Sequence, residues 1–282
     1  MAVILQRRQT LLCVHLAPFF STWYSPPVFP VDEQDPVLSA ISRAIKDAPH
    51  VPFESSLKKF LPSLTPYHVS SLIIRNPYSL SPASVLSFFK WVSSQNGFRL
   101  TLRTYCTMAC FLCSHRMISE AQSLLQFVVS RKGKDSAPSV FAAILEAKGN
   151  QQPSLIFNAL MNAYTDSGYV SDAIQCFRLV RKHGYRIPYN SCSHLLDWMM
   201  KSNSPSAAWA FFSEILKCGF PPNVYTFNIL MHSFCKEGKL KEARVILDEI
   251  RRRGMEPTVV SFNTLIHTAL PETVKKLLEE DV

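Results

Sequence analysis

The sequence is short of glycine and of acidic residues, and each shortage excludes a class of function. Only 8 of its 282 residues are glycine, and they form no glycine-rich loop of the kind with which nucleotide-binding α/β enzymes hold phosphate. The 21 acidic residues are outnumbered by 30 Lys and Arg, which leaves a net charge of +9. This charge favours an anionic partner such as nucleic acid or an acidic membrane surface. The longest apolar run, 11–20, contains His15 and Pro18 and reaches about half the roughly 20 residues of a membrane-spanning helix, so we expect no membrane span.

Catalytic and metal-binding motifs are missing as well. The 8 cysteines form no dense, evenly spaced framework, which argues against a disulfide-stapled secreted protein. Cys106, Cys110 and Cys113 have the C-x3-C-x2-C spacing of an iron–sulfur site, but they fall within a predicted helix, where we expect packed thiols. The histidines lack the context of a zinc protease or deaminase, and no Ser-His-Asp string or nucleophile elbow occurs. We predict a non-enzymatic protein with no catalytic residue, no metal site and no cofactor.

Residues 1–31 have the composition of an organelle transit peptide followed by a linker. They contain Arg7 and Arg8 but no acidic residue, the first of which is Asp32. A secretory signal is disfavoured because Pro18 interrupts its apolar segment early. The proline-rich stretch 25–30 cannot continue a helix. We predict import into mitochondria, with the chloroplast as the alternative.

Residues of one type recur at a spacing of 35 along the second half of the chain. The registers are Gly184, Gly219 and Gly254; Ala173, Ala208 and Ala243; and Asn158, Ser193, Asn228 and Asn263. The regular units are 154–188, 189–223 and 224–258, and a partial fourth unit occupies 259–282. A fixed period of roughly 20 to 50 residues is typical of solenoid proteins.

Each unit is predicted to form two amphipathic helices, because apolar residues recur at the offsets i, i+3, i+4 and i+7. The apolar face of the first helices comprises Phe157, Leu160, Met161, Tyr164, Cys192, Leu195, Leu196, Met199, Phe227, Leu230, Met231 and Phe234. The face of the second helices comprises Ala173, Phe177, Val180, Ala208, Phe212, Ile215, Ala243, Leu247 and Ile250. The glycines at the 35-residue spacing lie where each second helix should end. Such pairs bury their faces only by stacking, so we expect an all-α solenoid of 35-residue helix-turn-helix repeats.

The rest of the chain is less regular. Residues 32–66 form an N-terminal lead-in segment, and 67–136 are predicted to form degenerate helical repeats. From Ala121 to Ala173 the spacing is 52 residues, one period plus 17, so we assign 137–153 to an insertion, which is compatible with a short helix. After His267 the pattern stops, which predicts a shortened array, and 271–278 can form an amphipathic helix that caps it.

The best-preserved unit resembles a pentatricopeptide repeat. The resemblance rests on Val224–Leu230, Cys235–Gly238, Glu242 with Ala243, and Gly254–Pro257, and 259–266 resembles the opening of another such repeat. Tetratricopeptide repeats are also helix pairs, but they run at about 34 residues and carry a Trp/Leu-Gly/Tyr pattern that is missing here. Weaker matches, including Leu102–Tyr105, reach back to about residue 67 and resemble the front of plant organellar members of the P type. The resemblance implies a right-handed α-α solenoid that binds single-stranded RNA, one base per repeat.

The resemblance also implies which side chains contact RNA. In the family, the fifth residue of the first helix and the last residue of the repeat hydrogen-bond the base edge, and the second residue flanks the base. The base-reading residues are then Asn158, Ser193 with Asn223, Asn228 with Thr258, and Asn263, and the flanking residues are Leu155, Asn190, Tyr225 and Val260. By the family's code, Ser193 with Asn223 resembles an adenine reader and Asn228 with Thr258 a weak pyrimidine reader. Pro188, the partner of Asn158, departs from the code because it has no side-chain donor or acceptor.

The expected function is that of a monomeric organelle RNA-binding protein. It would act in RNA processing, stabilisation or translation by covering an RNA segment, with other organelle RNA-processing proteins as further partners. Two alternatives stay open: a helical-repeat scaffold that binds a protein on the same surface, and a nonfunctional truncated fragment. Asn158, Asn228 and Asn263 are also compatible with capping or buttressing the first helices. Arg251–Arg253 is compatible with a solvated helix end that complements the helix dipole.

Overall fold

The computed structural model describes residues 35–47, 57–147, 153–202, 204–219 and 223–269. The predicted transit peptide at 1–31 and the predicted capping helix at 271–278 lie outside these ranges. Within them the chain forms thirteen α-helices and no strand, which confirms the all-α helical-repeat fold. None of the described helices is both long and apolar enough to cross a membrane.

The helices follow one another along the chain. They are α1 (Pro36–Lys46), α2 (Pro66–Arg75), α3 (Pro82–Ser93), α4 (Leu102–Ser114), α5 (Ile118–Lys132), α6 (Ala137–Glu146), α7 (Pro153–Asp166), α8 (Val170–Lys182), α9 (Tyr189–Lys201), α10 (Pro205–Leu216), α11 (Val224–Lys236), α12 (Leu240–Arg252) and α13 (Val259–Ala269). The three regular units are thus the pairs α7 with α8, α9 with α10, and α11 with α12, and α13 opens the fourth.

The regular repeats stack in two layers. The two helices of each unit pack against each other, and first helices pack along one another, α7 on α9 and α11 on α13, with a smaller contact between α9 and α11. We call α7, α9, α11 and α13 the first-helix layer and α8, α10 and α12 the second-helix layer.

The core of the array lies between these layers, on the apolar faces that the period predicted. Every residue assigned to the six helix faces is buried, which confirms that prediction. Aromatic contacts join successive units: the rings of Phe212 on α10 and Phe227 on α11 meet edge to face at 5.0 Å. Such an edge-to-face pair adds about 1 kcal/mol beyond the area that the rings bury.

The second helices end at the repeating glycines as expected. Gly184 and Gly254 each have φ of +71°, a left-handed conformation that only a residue without a Cβ adopts freely. The residues that follow close the turn, since Tyr185 N–H donates to Val180 and Met255 N–H donates to Ile250.

The recurring alanines stand where we expect the two helices of a unit to approach closely. Ala173, Ala208 and Ala243 have no exposed surface. We expect Ala208→Leu to lower the free energy of unfolding by about 1–3 kcal/mol, because the added atoms have no room between the helices. Ala207 lies next to it on the exposed side of α10, so Ala207→Leu should change stability by less than about 0.5 kcal/mol. Urea titration of both variants checks this, and equal midpoints would contradict the close approach.

The segment assigned to an insertion contains a helix that is part of the core. On α6, Ala137, Val140, Phe141 and Ile144 are buried, and the ring of Phe141 stacks on that of Phe157 at 4.9 Å. The extra 17 residues are therefore accommodated chiefly as one additional helix.

Because of this one additional helix, the helices upstream of α6 lie in the layer opposite to the one that their sequence predicts. We call this the layer exchange. α5 packs extensively against α7, α6 packs against α8, and α4 packs against α6 as well as against α2. Consecutive helices alternate between layers, so one extra helix shifts all earlier helices by one layer. α5, a second helix by sequence, therefore continues the first-helix layer, and α4 continues the second-helix layer.

Asp172 holds α6 to the array. Its carboxylate is 2% exposed and accepts hydrogen bonds of 2.9 Å from the backbone N–H groups of Asp135 and Ala137. Ser136 at the N-cap of α6 makes no side-chain cap of its own. The hydroxyl of Tyr164 lies 3.0 Å from that of Ser136, and burial raises the Tyr164 pKa, which keeps this hydroxyl protonated. A side chain from the next repeat thus supplies the cap that α6 lacks.

Candidate nucleic-acid interface

The residues predicted to contact RNA lie along the first-helix layer. Positions two and five of a unit are three residues apart, so they share one side of each first helix. At position two, Asn190, Tyr225 and Val260 are exposed and Leu155 is half-buried; at position five, Ser193 and Asn263 are exposed and Asn158 and Asn228 are half-buried. Tyr225 is the most open of the large side chains here, at 72% exposed.

Asn228 and Thr258 are brought together. The Nδ2 of Asn228 donates a hydrogen bond of 3.1 Å to the Oγ1 of Thr258. Thr258 precedes α13, 30 residues along the chain, and only the stacking of the fourth first helix on α11 places it there. The pair therefore forms one polar unit at the junction between two repeats.

Ser193 and Asn223 are not joined by a hydrogen bond between their side chains within the described ranges. The hydroxyl of Ser193 donates to the carbonyl of Tyr189 in its own helix, at 3.2 Å. The Oδ1 of Asn223 accepts from the N–H and the hydroxyl of Thr226, both at 2.8 Å, and so caps α11. Asn223, which is exposed, therefore caps α11 through its Oδ1, and this leaves its Nδ2 for another acceptor.

Asn158 and Pro188 form no comparable pair. Pro188 is buried, and the hydroxyl of Ser191 lies 3.0 Å from both the Oδ1 and the backbone carbonyl oxygen of Asn158, either of which can accept its proton. The structure therefore agrees with the departure from the code that the proline predicts. Asn263 lies on α13 with no following repeat among the described residues to supply a last-position partner.

Two residues that the sequence reasoning missed join these asparagines to the next repeat. Ser191 and Ser261 stand at position three and have no exposed surface. Ser191 donates to Asn158, and Ser261 donates to the Oδ1 of Asn228 at 2.6 Å. The signal was present in the sequence, because Ser191, Thr226 and Ser261 are hydroxyl residues 35 apart.

The arginine run at the end of α12 pairs with carboxylates of the same helix, and Arg251 lies 3.8 Å from Asp248. Glu249 accepts hydrogen bonds of 2.6 Å from both Arg252 and Arg253, and these guanidinium groups lower its pKa to about 2. Arg251 lies over the ring of Phe262, 5.9 Å from its centre. This pairing favours the interpretation of the run as a solvated helix end over a phosphate-binding patch.

The cysteine string on α4 is packed inside the protein. Cys106, Cys110 and Cys113 are buried, and burial raises the pKa of Cys110 and Cys113 to about 12, which disfavours the thiolate that a metal requires. Over the described ranges, no three His, Cys, Asp or Glu side chains are grouped so as to hold a metal ion. Cys106 stands at position five of α4 and is buried, whereas the position-five residues of α9 and α13 are exposed.

The array matches known repeat families over most of its helices. The sequence profile described as PPR repeat family matches residues 190–236 and 222–269, and that described as PPR repeat matches 103–132 and 155–185. These matches cover α4, α5 and α7–α13, whereas α6 lies outside all four.

Several plant proteins are similar in sequence. A pentatricopeptide repeat-containing protein of Arabidopsis thaliana is 50% identical over 236 residues, which cover 80% of this chain and 39% of the relative. Another from Arabidopsis thaliana, named mitochondrial, is 26% identical over 85% of this chain and 36% of its own length. This chain spans about two fifths of the length of these relatives.

Solved structures of the pentatricopeptide repeat protein PPR10 are similar at lower identity. PPR10 from maize is 15% identical over 83% of this chain and 42% of its own, with a TM-score of 0.37. PPR10 in complex with an 18-nt psaJ RNA element is 20% identical over 86% of this chain and 37% of its own, with a TM-score of 0.38.

Proposed function

Since the chain belongs to the pentatricopeptide repeat family, we propose that it binds single-stranded RNA along the first-helix layer. The observation that carries the proposal is the row of position-two and position-five side chains on that layer, in which Asn228 is hydrogen-bonded to Thr258. Family members of this kind read one base per repeat through two or three side chains. The protein would cover the bound RNA segment and in this way act in RNA processing, stabilisation or translation.

Each repeat offers a different chemistry to a base. Asn228 uses one of its two Nδ2 protons on Thr258 and keeps the other for an acceptor on the base. Tyr225, three residues earlier on the same side of α11, exposes its ring, and stacking of a base on an aromatic ring contributes about 1–3 kcal/mol. Ser193 and the Nδ2 of Asn223 are both exposed and provide a donor and acceptor set for the preceding base.

The number of bases that this surface reads is small. Asn158 lacks a polar partner at Pro188, so two complete pairs, Ser193 with Asn223 and Asn228 with Thr258, lie on the described array. The arginine run is paired with Glu249, which reduces the charge available for phosphate. We therefore expect weak binding that falls with salt.

The proposed compartment is the mitochondrion, with the chloroplast as the alternative. It is supported by the basic, acid-free composition of residues 1–31 and by relatives named mitochondrial.

A randomised single-stranded RNA pool tests the function. We expect the full chain to retain RNA at low salt and to enrich an adenine followed by a pyrimidine, because the two complete pairs are in neighbouring repeats. Raising the salt should weaken retention, with a logarithmic slope of about −0.7 per phosphate contact. Double-stranded DNA of equal length is the control, since its bases are not open to stacking.

A folded, monomeric protein that retains no RNA would refute the proposal and favour the scaffold alternative, in which the same surface binds a protein. Equal retention of double-stranded DNA would show that charge alone accounts for binding. Aggregation of the purified chain under all conditions would favour the nonfunctional fragment.

A further inference from the structure

The base-reading asparagines are held by buried hydroxyl groups of the following repeat. Ser261, with no exposed surface, donates to the Oδ1 of Asn228 at 2.6 Å. It also accepts a hydrogen bond of 3.0 Å from the backbone N–H of Thr258. The hydroxyl of Ser261 thus donates its single proton to Asn228, while its oxygen accepts a hydrogen bond from Thr258, the other residue of the same base-reading pair.

This arrangement orients the amide of Asn228. With Oδ1 turned toward Ser261, Nδ2 faces Thr258, to which it donates at 3.1 Å. If the amide were flipped, the Nδ2 group would face Ser261 and could not accept the proton of its hydroxyl. Among these groups, the hydroxyl of Ser261 would then have only the Oγ1 of Thr258 as an acceptor, at the longer distance of 3.3 Å. A buried hydroxyl without a good acceptor is unfavourable, so the joint between the repeats selects one orientation.

The same joint recurs elsewhere in the array. The hydroxyl of Ser191 lies 3.0 Å from both the Oδ1 and the backbone carbonyl oxygen of Asn158. Upstream, Ser70 on α2 donates to Thr104 on α4 at 3.0 Å, so there the position-three hydroxyl is the acceptor. In each case, a buried position-three hydroxyl meets a side chain of the helix that is stacked before it in the same layer. At the looser contact of α9 with α11 the joint is missing, since Thr226 bonds Asn223 instead.

We propose that Ser261 is a positioning residue for base recognition, which makes Asn228 present a donor, and not an acceptor, to the RNA base. The inference rests on the proposed function and deepens it. A side chain that presents only a donor distinguishes bases by whether the facing atom accepts or donates. Uracil and cytosine have the same shape but exchange donor and acceptor at two positions of their pairing edge, so they are the sharpest probes of such a residue.

The test compares two RNAs that differ only in uracil or cytosine at the base that Asn228 contacts. We expect the unmodified chain to distinguish them by on the order of tenfold, as a matched hydrogen bond to a base edge typically does. In Ser261→Ala the amide is free to turn, so the affinity ratio should fall below about threefold. Binding of both RNAs should persist, because stacking on Tyr225 and phosphate contacts do not depend on Ser261.

Two variants separate positioning from mere packing. Ser261→Thr keeps the hydroxyl and should restore the ratio, since a buried threonine already occupies the equivalent place at Thr104, 1% exposed. Ser191→Ala makes the same change two repeats earlier in the chain, beside Asn158, and should leave the ratio at the Asn228 base unchanged.

An unchanged ratio in Ser261→Ala, or a ratio near one in the unmodified protein, would overturn the proposal. Loss of the ratio in Ser191→Ala would also overturn it, because the effect would then be general loosening of the array. Failure to bind either RNA would refute the proposed function itself, and this outcome is distinct from binding with an unchanged ratio.

Discussion

Replacing Asp172 with alanine is expected to lower the free energy of unfolding by about 3 kcal/mol. Its carboxylate is 2% exposed and accepts from two backbone N–H groups at the start of α6. A hydrogen bond to a charged group contributes about 1.5–3 kcal/mol, and a donor left buried without a partner adds its desolvation penalty. Ala137 is buried, so water cannot replace the carboxylate there.

Amide hydrogen exchange is the measurement suited to this variant, because a repeat array opens locally. Protection should be lost first in α6 and in the start of α8. Glu242 occupies the equivalent place on α12 but is exposed, so Glu242→Ala should cost less than about 1 kcal/mol, the usual effect of a charge near a helix N-terminus. Equal losses in the two variants would show that Asp172 does not hold α6.

Exchanging one base-reading pair is expected to change the preferred base. The double variant Asn228→Ser with Thr258→Asn reproduces the pair formed by Ser193 and Asn223 in the preceding repeat. Under the proposed function, preference at that base should move from pyrimidine to adenine by about 5- to 150-fold, which corresponds to about 1–3 kcal/mol. Asn223 already caps α11, so an asparagine before α13 should be tolerated.

The matched control is the reverse exchange one repeat earlier. Ser193→Asn with Asn223→Thr should move the neighbouring base from adenine to pyrimidine and leave the base at Asn228 unaffected. Competition binding with short RNAs that vary one base at a time measures both. A double variant that keeps its pyrimidine preference while folded would contradict reading by these positions.

The layer exchange at α6 limits how far upstream the proposed RNA-binding row can extend. The matched repeat at 103–132 makes α4 a first helix by sequence, yet α4 lies in the second-helix layer and Cys106 at its position five is buried. The helix that continues the row beyond α7 is α5, whose sequence is that of a second helix. We therefore expect the base-reading row to begin at α7.

The sequence by itself determined the repeat, the two-helix unit and the buried faces. A 35-residue period carries all of this information within one unit, because helix periodicity, glycine at the helix end and the apolar face are local properties. The same period aligned the positions from Asn158 to Asn263, and the resemblance to the pentatricopeptide repeat made them candidate base readers and marked Pro188 as the residue that breaks one pair.

Only the tertiary structure decided which of these positions meet. Asn228 reaches Thr258 and Ser261 across 30 and 33 residues, and whether such contacts form depends on how closely one first helix stacks on the next. That closeness differs along the array: α11 and α13 pack tightly, α9 and α11 loosely. The layer exchange was equally hidden, since an excess of 17 residues is compatible with a loop or a helix. Asp172 is buried against the start of α6, although the two are far apart in the chain. This contact makes α6 a structural helix of the array.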